Sequence, residues 1–200
     1  KEIDDGSVDA VIADPPYGTT ACKWDEIIPL EPMWKQVKRI NKGVFVTTAS
    51  QPFTSKLVMS NIEDFKYEWI FKKYQGSGFL NAKKQPLRNH ENIAVFYDKQ
   101  PTYNPQRWAS KVENRGIIKQ TRPVETEVYR NLDKSVDYVD DGYRMPTTVI
   151  KFYDPQRMSS SVDKKGRHPT QKPVSLYEYL VRTYTNEGDT VLDLTMGSGT

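Results

Sequence analysis

Val8-Asp9-Ala10-Val11-Ile12-Ala13-Asp14-Pro15-Pro16-Tyr17 is a short apolar run stopped abruptly by two prolines. Apolar residues on both alternating faces predict a strand buried on both sides, and prolines that cannot donate to a ladder end it. The following segments repeat the theme. Leu30, Met33, Trp34, Val37 and Ile40 fall at helical spacing behind Pro29 and Pro32, and proline is well tolerated in a first turn. Gly43 to Thr48 reads as a second strand, and Gln51 to Ile62 as a helix. Tyr67 to Lys72 and Asn92 to Tyr97 are rich in aromatic and β-branched residues and read as further strands. Strands alternating with helices of about a dozen residues predict an α/β domain with a mostly parallel sheet. Periodicity returns near the end: Leu176, Tyr179, Leu180 and Tyr184 share a helical face, and Thr190 to Leu194 reads as a strand.

Between these ends the chain changes character. Residues 99–167 are polar, with scattered prolines and no sustained period. A structureless loop of that length inside a compact domain is unusual, so the stretch reads as an inserted module. Charge follows the same division. Residues 1–65 carry a net −3, residues 66–172 a net +9 and residues 173–200 a net −3. A basic middle between acidic ends suits a polyanionic partner. Lys72, Lys73, Lys83, Lys84 and Arg88 are the candidate phosphate contacts.

Several classes are excluded or disfavoured. Charged residues make up 28% of the 200, and no apolar run approaches the ~20 residues of a membrane span. One cysteine, Cys22, forms no internal disulfide, which fits a reducing cytoplasm. His90 and His168 are far apart, so no metal is expected. The chain starts at a lysine and stops inside a glycine turn at Gly199-Thr200, and so reads as an excerpt of a longer protein.

Three motifs carry chemistry. Asp14-Pro15-Pro16-Tyr17 sits where a strand ends, and open α/β sheets bind ligands outside their strands' carboxyl ends. An exocyclic amine on adenine or cytosine is a poor nucleophile because its lone pair is delocalised into the ring. A carboxylate (Asp14) and a rigidly directed carbonyl (Pro15, fixed by Pro16) accepting its two N–H groups would free that lone pair. Tyr17 can stack on an extruded base, an interaction worth ~1–3 kcal/mol, against a flipping cost of a few kcal/mol. Taken alone the tetrapeptide is equally a strand-ending turn. The second motif, Asp193-Leu194-Thr195-Met196-Gly197-Ser198-Gly199-Thr200, runs from a strand into a Gly-x-Gly turn that lets a cofactor approach the backbone. By itself it fits a dinucleotide loop, a phosphate loop or a plain tight turn. The third, His168-Pro169-Thr170-Gln171-Lys172-Pro173, is a rigid polar loop before the last helix.

The order of these motifs, with a long variable region between the first two met along the chain, resembles the β-class amino-methylating DNA methyltransferases. In that family the catalytic tetrapeptide precedes the cofactor loop, a circular permutation. The resemblance extends from about Val8 to Thr200 and includes Arg88-Asn89-His90-Glu91-Asn92-Ile93-Ala94-Val95-Phe96. It implies a Rossmann-like methyltransferase fold with a circularly permuted sheet, with residues 1–98 as the catalytic half, 99–167 as an inserted target-recognition region and 168–200 as the start of the cofactor half. It further implies S-adenosylmethionine as cofactor, double-stranded DNA as partner, and a homodimer, since related enzymes are often dimeric. Asp14, Pro15, Pro16 and Tyr17 would hold the base. Asp193, Thr195, Gly197, Ser198 and Gly199 would line the cofactor pocket, with Thr170, Gln171 and Lys172 at its methionine end. Leu194 and Thr195 stand where many members have Pro and Phe, the usual source of an aromatic contact to the cofactor, while the backbone turn is intact. Asp at the first tetrapeptide position resembles the adenine-N6 enzymes; Ser there is commoner for cytosine-N4. The alternatives are a cytosine-N4 enzyme, a DNA-binding module without catalysis, and a nucleotide hydrolase built on the glycine turn.

Overall fold

A computed structural model describes residues 2–20, 22–110, 116–121, 135–152 and 171–197. In chain order the elements are β1 (Val8–Ala13), α1 (Leu30–Ile40), β2 (Asn41–Ala49), α2 (Phe53–Met59), β3 (Phe65–Ser77), β4 (Arg88–Phe96), β5 (Trp108–Ala109), β6 (Gly116–Thr121), β7 (Ser135–Asp140), β8 (Tyr143–Arg144), β9 (Val149–Ile150), α3 (Val174–Tyr184) and β10 (Val191–Leu192). The chain divides into two compact units, residues 1–104 with 147–200, and residues 105–146.

The first unit is built on a six-stranded sheet in the order β10-β1-β2-β4-β3-β9. β1 is parallel to both β10 and β2, and β3 is parallel to β9. β4 lies antiparallel between β2 and β3. Five of the six strands therefore run one way, and the fold is a mostly parallel α/β sheet with one reversed strand. The reversal has a simple cause. Only residues 78–87 join β3 to β4, and a parallel crossover needs a dozen or more residues.

Both faces of the sheet are covered. Val8, Val11 and Phe45 face a cluster with Met33, Trp34, Val37 and Ile40 of α1 and Phe53 and Leu57 of α2. Ala10, Ile12, Val44 and Val46 point the other way, against Leu176, Leu180 and Tyr184 of α3. β1 thus feeds two cores, alternating from Ala10 to Ile12, with the register shift between Val8 and Ala10 setting Val8 on the side of Val11, which is why its sequence reads as nearly continuous apolar. Fully burying side chains of this size contributes about 1.5–3 kcal/mol each. α3 is also pinned by polar contacts: Tyr184 Oη accepts from Trp69 Nε1 at 2.7 Å and is hydrogen-bonded to Tyr67 Oη at 2.8 Å.

Local chemistry explains the element ends. Glu31 in the first turn of α1 and Lys38 and Arg39 in its last turn complement the helix dipole. The β1–β2 register shifts between Val8 and Ala10, and there a Cβ on residue 43 would stand 2.0 Å from the Asp9 carbonyl oxygen. Only glycine lets β2 pass. The helix expected over Gln51–Ile62 is shorter, Phe53–Met59, because Ser60 turns its hydroxyl back onto the Leu57 carbonyl at 2.7 Å.

The second unit contains two two-stranded ladders, β5 with β8 and β6 with β7, both antiparallel. Arg107 pairs with Asp141 at 2.6 Å and lies over the Tyr143 ring at 5.5 Å, and Arg144 pairs with the buried Asp140 at 2.7 Å. Among the described residues no helix is long and apolar enough to cross a membrane.

Candidate active site

Four neighbouring strands deliver polar groups to one edge of the sheet. Asp14 follows the last residue of β1, Asp193 follows the last residue of β10, and Thr48 lies at the end of β2. β4 runs against them, so its beginning, with Glu91, meets the same edge. Parallel strands end together, and this is where an α/β sheet offers a crevice. A cavity of about 690 Å³ opens there, within the roughly 300–1,000 Å³ typical of small-molecule sites.

The cavity gathers residues of all three sequence motifs. Asp14, Pro15, Pro16 and Tyr17 line it with Gln171, Lys172, Asp193, Thr195 and Gly197. Residues 158 positions apart in sequence touch: Lys172 Nζ lies 2.9 Å from both Asp14 Oδ1 and Asp14 Oδ2. Gly197 has φ +57, the left-handed turn for which glycine is the natural residue. His168, Pro169, Thr170, Ser198 and Gly199 lie outside the described residues.

The Asp14 carboxylate is the hub. Its Oδ1 accepts from Tyr17 Oη at 2.8 Å, from Thr48 Oγ1, and from Lys172. Tyr17 stacks on Phe53 with ring centroids 5.6 Å apart, and Lys172 Nζ sits 5.4 Å from the Tyr17 ring centre. Burial, and then the carboxylates of Asp14 and Glu91, hold the Tyr17 hydroxyl well above the usual tyrosine range. It is a neutral donor to Asp14 across the working pH range. The Asp193 carboxyl is also raised, chiefly by burial, against the opposing hydrogen bonds from Thr195.

Sequence reasoning missed part of the wall. Trp24, Glu26 and Ile28 come from the loop after the tetrapeptide, which has no periodicity to read. Asp25 shapes that loop, accepting from the backbone N–H groups of Gly18, Thr19 and Thr20 at 2.9, 2.9 and 2.7 Å. The Gly18-Thr19-Thr20 run followed by an aspartate was the available signal. Tyr177, read only as a helical residue, lines the cavity with a buried hydroxyl that makes no well-formed hydrogen bond among the described residues. Burial pushes that hydroxyl well above the ordinary tyrosine value, so it is a neutral donor facing the space.

The candidate phosphate contacts lie elsewhere. Residues past Ile70 in β3 and before Asn92 in β4 extend beyond Ala49, the end of β2. The β3–β4 hairpin therefore projects from the same edge as the cavity. Lys72, Lys83, Lys84 and Arg88 are exposed along it, and Arg88 donates to Ser50 Oγ at 2.8 Å. Lys73 is turned inward, 3.3 Å from Glu91 Oε1.

A three-layer α/β sheet with a glycine turn and converging acidic strand ends defines a Rossmann-like ligand-binding domain. More narrowly, the chain belongs to the DNA methylase family, whose model matches residues 8–200. It is 25% identical to the type II methyltransferase M.HpaI of Haemophilus parainfluenzae, over 100% of this chain and 61% of that protein. It is 28% identical to the type II methyltransferase M1.MboII of Moraxella bovis, over 100% of this chain and 80% of that protein. The chain thus spans less than two thirds of the first of these relatives. Among solved structures it is similar in fold to an M1.HpyAVI–SAM complex (22% identity, TM-score 0.55, 96% of this chain and 74% of that one). The cytosine-N4-specific PvuII DNA methyltransferase shares the fold at 12% identity and TM-score 0.59, over 96% of this chain and 68% of that one.

Proposed function

We propose that this chain carries the catalytic site of a site-specific DNA methyltransferase that transfers a methyl group from S-adenosylmethionine to adenine N6 of a flipped-out base. The observation that carries the reading is the convergence of the three motifs on one cavity, in a chain of the DNA methylase family. S-adenosylmethionine fits the residues present. Four carboxylates, of Asp14, Asp25, Glu26 and Asp193, and one ammonium line the space, a balance that favours a sulfonium cation, and Tyr177 offers an unused donor. Asp193, Thr195 and Gly197, with Ser198 and Gly199, would hold the cofactor, and Thr170, Gln171 and Lys172 its methionine end. When bound, it supplies an electrophilic methyl group on sulfur.

The chain's own work is on the base. Asp14 and the Pro15 carbonyl accept the two amino N–H groups and free the nitrogen lone pair. Tyr17, braced on Phe53, presents a ring face for stacking, and its neutral hydroxyl keeps the Asp14 carboxylate turned toward the site. The basic hairpin, with Lys72, Lys83, Lys84 and Arg88, would follow the phosphate backbone, and residues 105–146 would read the target sequence. Asp at the head of the tetrapeptide supports adenine over cytosine.

The test is nucleoside mass spectrometry on unmethylated DNA incubated with the complete protein and S-adenosylmethionine. N6-methyladenine is expected with the native protein and none above background with Asp14→Ala, whose cofactor affinity by calorimetry should stay within about threefold, half a tenfold step of about 1.4 kcal/mol. N4-methylcytosine would move the base and keep the mechanism. Undiminished methylation by Asp14→Ala would overturn it.

A further inference from the structure

Donors already crowd Asp14 where a substrate amine would have to bind. Oδ1 accepts from Tyr17, Thr48 and Lys172, and Oδ2 accepts from Lys172, so the open side of the carboxylate is held by the lysine. Of these donors, Tyr17 and Thr48 belong to the walls of the site. Thr48 is a buried strand residue, and Tyr17 is fixed against Phe53. Lys172 is different. Its ammonium is itself an amine with N–H groups directed at Asp14, and it lies over Tyr17, the group expected to stack on the base. It occupies the position that the reading above assigns to the base's amino group.

A lysine with a side chain only 10% exposed does not leave a carboxylate unless another acceptor takes it, because an unpaired buried charge is costly. One is in place. Glu91 Oε2 lies 3.2 Å from Lys172 Nζ, yet it is buried and accepts no hydrogen bond from the described residues. The two atoms are within hydrogen-bond reach, and it is the angle of approach that leaves the oxygen unfilled. The other oxygen, Oε1, is held by Lys73 at 3.3 Å from the base of the hairpin. Glu91 is thus fixed from one side and open to Lys172 on the other.

Resting on the base-methylation reading, we propose that Glu91 is a positioning residue: it draws Lys172 off Asp14 so that the target amine can take its place. Lys172 exchanges one carboxylate for another across the site, and the charge of the cluster is unchanged by the exchange. The base amine inherits both the Asp14 acceptor and the Tyr17 ring. Glu91→Gln keeps the shape but weakens the second acceptor, so Lys172 stays on Asp14 and competes with the base. Lys172→Met removes the competitor and makes Glu91 dispensable for this step.

The experiment uses the complete protein and, once the methylated position has been mapped, two duplexes: one with adenine there and one with purine, which lacks the amine. The dissociation constant of the purine duplex divided by that of the adenine duplex, measured without cofactor, reads the amine's own contribution to capture. Glu91→Gln should reduce that ratio about tenfold, the scale of one charge-assisted hydrogen bond. Lys172→Met should leave it at or above the native value, and adding Glu91→Gln to Lys172→Met should change it less than twofold. The purine duplex, which keeps every contact except the amine's, should bind the native and Glu91→Gln proteins alike. A native protein that methylates DNA, with Glu91→Gln showing the native ratio, overturns this inference alone. So does a Glu91→Gln loss that persists in full in the Lys172→Met background, since a merely structural role would be independent of Lys172. A native protein that neither methylates nor distinguishes the duplexes overturns the functional reading itself.

Discussion

Asp25 shows how one side chain can shape a wall of the cavity. It is buried, and three backbone N–H groups of the loop after the tetrapeptide converge on its carboxylate. Burial works against its charge, but the hydrogen bonds from Thr20, Gly18 and Thr19 outweigh it and hold the carboxyl below the usual aspartate value. The sign of the pH dependence follows. A depressed folded pKa gives stability that is complete above the unfolded value of about 3.9 and is lost as pH falls through the folded value. Asp25→Asn turns an amide N–H₂ toward donors and leaves at least one unsatisfied, a cost of about 1–3 kcal/mol. The urea midpoint of Asp25→Asn should therefore lie well below that of the native protein at pH 7, with the gap closing as pH drops below about 4. A gap that stayed constant down to pH 3 would show that the charge has no part in holding the loop.

At the scale of elements the β3–β4 hairpin is the informative piece. Enrichment in aromatic and β-branched residues announced both strands, and the order of helices and strands announced the sheet. Their lengths were not legible. β3 runs to Ser77 and β4 starts at Arg88, because cross-strand hydrogen bonding continues past the point where side chains stop being buried. The spread of the site over Glu91 and Thr48 was equally hidden: both depend on register between strands distant in the chain. The tetrapeptide, the glycine turn and Gln171-Lys172 were legible because each is a local motif at an element's end. Phe79 and Leu80, 75% and 84% exposed, mark the hairpin's tip beside Lys83 and Lys84. If this arm follows phosphates, Lys83→Ala with Lys84→Ala should weaken binding to all DNA sequences alike. The slope of log K against log salt should fall in magnitude by about 1.8, or 0.9 per lost contact. Equal slopes for the two proteins in a fluorescence anisotropy titration would remove the hairpin from the interface.

At the scale of the molecule, the two compact units suggest a division of labour. Residues 1–104 and 147–200 contain the six-stranded sheet, both apolar cores and every described residue lining the cavity. Residues 105–146 hold their own ladders and their own ion pairs, Arg107–Asp141 and Arg144–Asp140. On the proposed function, chemistry on an amine would call on the first unit, whereas choice among DNA sequences needs side chains directed at base edges. Excising residues 105–146 from the complete protein and bridging the ends with a Gly/Ser linker removes no residue of either core. Calorimetry should then give cofactor affinity within about threefold of the native value, half a tenfold step of about 1.4 kcal/mol. Sequencing of methylated positions should show the loss of site preference, with methylation either abolished or scattered over many contexts. Retention of the native target sequence by the excised protein would place recognition in the first unit, and the projecting hairpin would become the element to dissect.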